Sequence, residues 1–393
     1  MTLEPEWIEE YMPITAKTQV ASSWAETTLN GNILTVPGNS MKSNAKMVAV
    51  RQDLMEKYGF DKLSNWEDYM SFCFAVAEKE TPESGVYAFN TNWSNTEIWK
   101  TYYQQDNLYP LFNEMFFYEC EAGDILPEFE EVKLFYETDL FRTFCHDMVE
   151  LRKAGAWSQS AISNDTLPSD SFANLTSASV FHNSTVYTYS SRATKTDPSA
   201  VCEVYDLFPE AICIPECYSN NCLAIPYSSG DPQRAAMMID LMKNDFFFNT
   251  TFQFGIEGTD WVDNGDNTFT LLESSSKGNL GSLAWALKYD WDYKEKPIDE
   301  YDRKKQEMTE LQNLRLVPNP TVAFIFDDSN VKSYVATLNS LADEYRPSLY
   351  LGMIDDVDAY IDEFIQRLYD SGLQKIYDEM ELQYNAWKET RKN

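Results

Sequence analysis

Apolar and polar positions along the chain follow two periods, and the switch between them is clearest from residue 30 to residue 80. The turn Asn30-Gly31-Asn32 leads into an apolar run over 33–36, closed by Pro37-Gly38. A polar gap follows, then a second apolar run over 47–50. The spacing next predicts a helix over 53–58, stopped by Gly59, and another beginning at Ser64. Strand, polar loop, strand and two capped helices in succession predict an α/β arrangement. The polar loop between the two strands is where a ligand is expected.

Downstream, the pattern predicts a short strand at 86–90, a helix starting within 99–105 and a hairpin or irregular excursion at 119–129. Phe135, Phe141, Phe144, Cys145, Met148 and Leu151 recur at helical spacing, so 134–154 reads as an amphipathic helix ended by Gly155. A short helix at 169–175 precedes a strand-turn segment over 177–189, and short strands are expected at 202–207, 212–214 and 222–225. Asp231 as N-cap and Pro232 at the first helical position announce a helix that runs over 235–248. Residues 263–268 form a hairpin turn whose carboxylates depart from the calcium-loop spacing. A charged helix at 298–313, an apolar stretch at 322–326 and three helices at 329–345, 356–372 and 373–388 complete the chain, with no internal repeat.

Composition narrows the function. A chain of 393 residues with 44% hydrophobic content has room for two or three domains. Its net charge of −32 repels phosphate backbones, which excludes nucleic acid as a natural partner. Aromatic residues make up 15% of the chain, enough for either a ring-rich core or a site that stacks flat ligands. With only His146 and His182 present, catalysis built on histidine has little support. The seven cysteines are an odd number; Cys73 and Cys145 fit helical core positions. Cys213, Cys217 and Cys222 depart from zinc spacing, which leaves core positions or a local disulfide, so no metal and no cofactor are expected. No apolar run reaches the 18 residues of a membrane helix, and the first 13 residues lack the basic and apolar parts of a signal peptide. Taken literally, that describes a cytoplasmic chain.

The order of several motifs changes this picture. Gly31-Asn-Ile-Leu-Thr-Val-Pro37, Val50-Arg-Gln-Asp-Leu-Met-Glu-Lys-Tyr-Gly59, Asn65-Trp-Glu-Asp-Tyr69, Asp206-Leu-Phe-Pro209, Ser229-Gly-Asp-Pro-Gln-Arg-Ala235 and Phe254-Gly-Ile-Glu-Gly-Thr-Asp-Trp-Val262 follow one another as they do in one family. The chain resembles the extracellular solute-binding proteins of ABC importers, in the cluster that includes maltose-binding protein. It is most similar to Gram-positive lipoproteins that end in a helical domain. The single motifs are weak; their succession over nearly the whole chain is specific.

The resemblance implies an α/β, two-lobed periplasmic-binding-protein-like (type II) fold with a hinge and a helical C-terminus. On the family pattern, 1–46 belongs to lobe one, 47–223 to lobe two, 224–322 returns to lobe one, and 323–393 packs on lobe two. Met1 falls inside the first lobe of that pattern, so the chain reads as N-terminally shortened with lobe one incomplete. The family implies a monomer that captures a solute, expected to be an oligosaccharide, and delivers it to an ABC permease. Outside the cell it would be held at the membrane through a lipidated N-terminus, with signal and anchor lying outside this chain.

Sugars are held by aromatic platforms and by amide and carboxylate side chains. The loop over 90–99 carries Asn92, Trp93, Asn95, Glu97 and Trp99; Asn92 and Trp93 are the expected ligand contacts, and Trp99 fits core equally well. His182 and Asn183 follow a strand of the second lobe, Asn39, Ser40 and Lys42 occupy the loop between the first two strands, and Phe326 lies where the family places an aromatic near its cleft. A peptide or other small solute is the alternative ligand. A glycan-degrading enzyme is the rival class, but with 63 carboxylates in the chain a pair of acids carries no information, and no nucleophile elbow, metal spacing or phosphate-binding glycine loop is present.

Overall fold

The computed structural model describes residues 1–38, 43–93, 97–120, 125–272, 286–287 and 293–391. The chain forms two compact units. The first comprises Met1–Lys42, Pro215–Ile298 and Pro320–Ile325; the second comprises Ser43–Ile214, Asp299–Asn319 and Phe326–Asn393.

The second unit is built on a three-stranded antiparallel sheet with Met47–Arg51 in the centre, flanked by Ser179–His182 and Cys202–Tyr205. Met47 to Val50 is apolar at every position because both faces of this strand are covered. On one face Met47 and Ala49 join Phe172, Val180, Val186, Tyr187 and Val204. On the other face Phe181 meets the rings of Tyr69 and Phe89 edge-on, and the Tyr69 hydroxyl bonds to Ser179 Oγ at 3.0 Å. The register sets Met47 opposite His182 and Val48 opposite Tyr205, so the start of the central strand and the ends of both neighbours share one edge of the sheet.

The amphipathic helix Asp139–Ala154 ends at Gly155, whose φ of 86° is the left-handed conformation a helix C-terminus favours. Against it lie the C-terminal helices Lys332–Tyr350, Val357–Asp370 and Leu373–Thr390. Arg142 pairs with Asp358 and Asp362 across this interface, at 2.8 and 2.7 Å. A hairpin stands just before 119–129, the segment expected as a hairpin or irregular excursion, of which 121–124 lie outside the described residues. The strands are Leu108–Phe112 and Phe116–Glu119, joined where Asn113 and Glu114 both take positive φ, and Pro110 inside the first strand masks it from a pattern reading.

The strand-turn segment expected over 177–189 is half right. After His182 the chain turns, with Asn183 Oδ1 accepting from Thr185 N and Oγ1, and Val186–Thr196 is a helix. Val186, Tyr187, Ser190, Ser191 and Ala193 are its buried face, a helical spacing hidden by β-formers at its start.

The first unit packs the helices Pro5–Tyr11, Pro13–Thr18, Pro232–Asn244 and Phe246–Phe254 around Ile8, Met12, Val36, Ile225, Ala236 and Ile239. The single helix expected over 235–248 is two, because Asp245 leaves helical geometry and caps the second through Phe248 N at 3.0 Å. Asp240, buried on the earlier helix, accepts from Ile14 N, Thr15 N and Thr15 Oγ1 and so caps the helix at 13–18 from a distance in sequence. The run expected as a strand at 33–36 is divided: Asn32–Ile33 pairs with Thr28–Leu29, and Val36 bridges Leu223.

The divisions between units differ from those the family pattern implied at 46/47, 223/224 and 322/323. Ser43 N donates to Asn313 Oδ1 and Lys46 N to Gln104 Oε1, which ties 43–46 into the second unit, and 215–223 join the first through the Val36–Leu223 bridge. The helix Glu300–Asn313, expected in lobe one, belongs to the second unit. There Tyr301 Oη accepts from Cys202 N, Lys304 pairs with Glu203 and Lys305 Nζ donates to Thr188 Oγ1.

Candidate functional site

At the sheet edge of the second unit the residue preceding the buried strand is Lys46. An ammonium withdrawn from water needs polar partners. Lys46 Nζ lies 2.8 Å from Glu97 Oε2 and donates to Asn44 Oδ1 at 3.2 Å, while its backbone N–H donates to Gln104 Oε1 at 2.9 Å. Asn183 Nδ2 donates to the same Asn44 Oδ1 at 3.0 Å. The His182 ring, opposite Met47 in register, contacts Asn183 Oδ1 through Nδ1 at 2.8 Å and meets Tyr189 edge-on. Four separate segments thus converge on one polar cluster: 44–46, 97–104, 182–183 and the helix behind them.

Burial by itself would raise the Glu97 carboxyl. The Lys46 ammonium, His182 and Lys100, acting in the same sense, together outweigh it, and Glu97 is held below the usual carboxylate range. Lys100 in turn pairs with Glu114 at 2.8 Å. One residue past the third strand, Asp206 pairs with Arg315 at 3.3 Å. The edge therefore offers amides, an imidazole and a closed ion pair. Such a set suits hydroxyl groups, which donate and accept at once.

The predicted site residues separate into three groups. Trp93 is 40% exposed. His182 and Asn183 stand in the cluster. Asn92 and Phe326 require correction. Asn92 is buried and its amide donates to Thr166 O at 3.1 Å, which places it beneath the loop. Phe326 is buried edge-on against Phe112, with ring centroids 4.7 Å apart, so its ring is used in packing. Asn39, Ser40 and Lys42 lie outside the described residues. Trp99 is core, ringed by Tyr103, Phe117, Phe135 and Tyr350. Asn44, Lys46 and Gln104 carried no motif; a lone cation at the mouth of a fully apolar strand was the one available signal.

Among the described residues no three or more His, Cys, Asp or Glu side chains converge as a metal site, and no helix is long and apolar enough to cross a membrane.

Comparison with solved structures now adds to this geometry. The N-glycan transport solute-binding protein NgtS of Streptococcus pneumoniae superposes with a TM-score of 0.75 at 17% identity, covering 100% of this chain and 83% of that one. Its complex with Man1GlcNAc gives a TM-score of 0.73 at 17% identity, covering 98% and 83%. The fold is that of the solute-binding proteins. A solute-binding protein of Bifidobacterium longum infantis that binds human milk oligosaccharides also matches, with a TM-score of 0.68, 13% identity and coverage of 98% and 84%. In sequence, a carbohydrate ABC transporter substrate-binding protein of S. pneumoniae serotype 4 is 23% identical over 174 residues. That match takes in 43% of this chain and 34% of the relative, so it spans about a third of the relative's length. A family model described as a domain of unknown function, DUF3502, matches residues 320–389, the C-terminal helices.

Proposed function

We propose that this chain is the oligosaccharide-binding component of an ABC importer, a binding protein and not an enzyme. The observation that carries the reading is the pairing of a solute-binding-protein fold along the whole chain with a cluster of amides, imidazole and a closed ion pair at the sheet edge of the second unit, the unit that also exposes Trp93. In this reading the glycan lies between the two units, which close over it by hinge motion. Trp93 supplies the ring against a sugar face, and His182 and Asn183 bond its hydroxyls. Asn39, Ser40 and Lys42 are further ligand contacts in this reading. The partner is a membrane permease, and the protein works outside the cell, held at the membrane by a lipid anchor.

The test is a thermal-shift screen over neutral and acidic oligosaccharides and peptides, followed by calorimetry on the hits. A glycan hit should raise the melting temperature and remain uncleaved over hours. Product on a chromatogram rejects the binding-only reading, and hits confined to peptides move the ligand class. Trp93→Ala should weaken glycan binding by about 1–3 kcal/mol with an unchanged melting temperature in the free protein, since the ring is exposed. Equal affinity removes Trp93 from the site.

A further inference from the structure

The Lys46–Glu97 pair sits where a ligand-reading residue would, yet its two charges cancel. The side chains retain 10% and 20% of their exposure, with Glu97 Oε2 itself buried, so the pair lies just under the surface of the sheet edge and neither charge is dissolved in bulk water. We propose that Glu97 is a specificity-determining residue: by holding the Lys46 ammonium in an ion pair, it directs this site toward uncharged glycans and away from glycans bearing carboxylate, sulfate or phosphate groups. This rests on the carbohydrate-binding reading above and names the substrate class within it.

An anionic sugar needs a cation it can approach. Lys46 is engaged by Glu97 at 2.8 Å, Lys100 by Glu114 at 2.8 Å and Arg315 by Asp206 at 3.3 Å. A ligand carboxylate reaching Lys46 must displace Glu97, which is held ionised and is tied in place by its position at the start of the helix Glu97–Tyr102. Where it does not displace Glu97, it faces a like charge within a few ångströms in a partly desolvated setting, where Coulomb repulsion is strong. A hydroxyl meets neither obstacle. The ammonium has three N–H donors, two of them directed at Glu97 and Asn44, and the carboxylate has several acceptor sites, so one sugar hydroxyl can accept from the first and donate to the second. The His182 contact through Nδ1 to Asn183 leaves Nε2 directed elsewhere, as a further hydrogen-bonding group. The net charge of −32 acts in the same direction at low salt and is screened beyond about 10 Å at 0.1 M.

Calorimetry at 150 mM salt with matched glycans decides the point: lacto-N-tetraose and a biantennary N-glycan, each against its sialylated form. The wild-type chain is expected to bind the neutral member at least tenfold more tightly. In Glu97→Gln the shape is kept and the Lys46 charge released, so the neutral-to-sialylated affinity ratio should fall at least tenfold. The Lys46→Met/Glu97→Gln double variant removes both charges; its ratio should fall part of the way, and it serves if the single variant does not fold. A wild-type chain that binds sialylated forms as well as neutral ones, or a ratio unmoved in either variant, overturns the assignment while leaving the carbohydrate reading intact. Binding of neither member of either pair, with hits only among peptides, overturns both.

Discussion

Lys46 and Lys243 are both withdrawn from water, one in each unit, and the protein handles them in opposite ways. Lys46 faces a carboxylate, Glu97, and the pair holds the charge of each partner in place. Lys243, with 1% of its surface exposed, donates to a backbone carbonyl, Pro37 O, at 2.6 Å. Burial pushes its ammonium down to about 8, with Cys222 acting weakly in the other sense. A paired cation at a sheet edge can read a ligand. A cation on a backbone carbonyl fixes the chain instead. Around Lys243 the segment is clamped further: Gln19 Nε2 donates to Gly38 O at 2.8 Å, Gly38 N donates to Tyr218 O at 2.8 Å, and Val36 bridges Leu223. These bonds stand just before the chain leaves the first unit at 42/43.

The contrast can be broken most strongly at the pair. Lys46→Met strands a partly buried carboxylate and should cost roughly 2–3 kcal/mol in urea unfolding, below the full cost of orphaning a buried charge because the pair is partly exposed. The Lys46→Met/Glu97→Gln variant should recover most of that loss, and a coupling energy near zero would show that the two side chains act independently. Next in size is Gly38→Ala. A Cβ there would lie 2.9 Å from Asn221 O and 3.3 Å from Tyr218 O, both backbone atoms. The segment must shift, at a cost of about 1–3 kcal/mol, and a variant as stable as wild type would show that the clamp is loose.

The smallest effect is the pH dependence of Lys243. Its folded value is depressed below the ordinary 10.5. Below about pH 8 the folded chain therefore carries a charged, desolvated amine. Between that point and 10.5 the folded amine is neutral while the unfolded chain still binds a proton, so the amine's contribution to stability rises with pH across this window. The stability difference between wild type and Lys243→Met should shift in favour of wild type by about 1 kcal/mol from pH 7 to pH 9. Parallel lines in the two urea series would place the amine in water.

Much of the second unit could be read from sequence. The strand at 47–50 is apolar at each position, the helix at 139–154 carries a stripe of core residues with a glycine stop, and Asp231 with Pro232 starts a helix by local chemistry alone. These features depend on neighbours a few residues away. The errors share a cause as well. Residues 186–189 read as strand because Val and Tyr favour both periods, and the turn that starts the helix depends on the Asn183 side chain. Phe326 reads as a ligand contact until Phe112 is found against it.

The amino-acid sequence by itself determined the order of elements, the ends of most helices, the acidic surface that excludes nucleic acid, and the succession of motifs shared with the solute-binding proteins. All of these are set by composition or by local periodicity. The tertiary structure decided which polar groups meet. Asn44 and Asn183 are 139 positions apart, and Lys46 and Glu97 belong to different elements. They are joined only because the sheet register puts His182 opposite Met47 and brings both strand ends to one edge. A register is the result of packing over the whole unit, so no short window of sequence contains it.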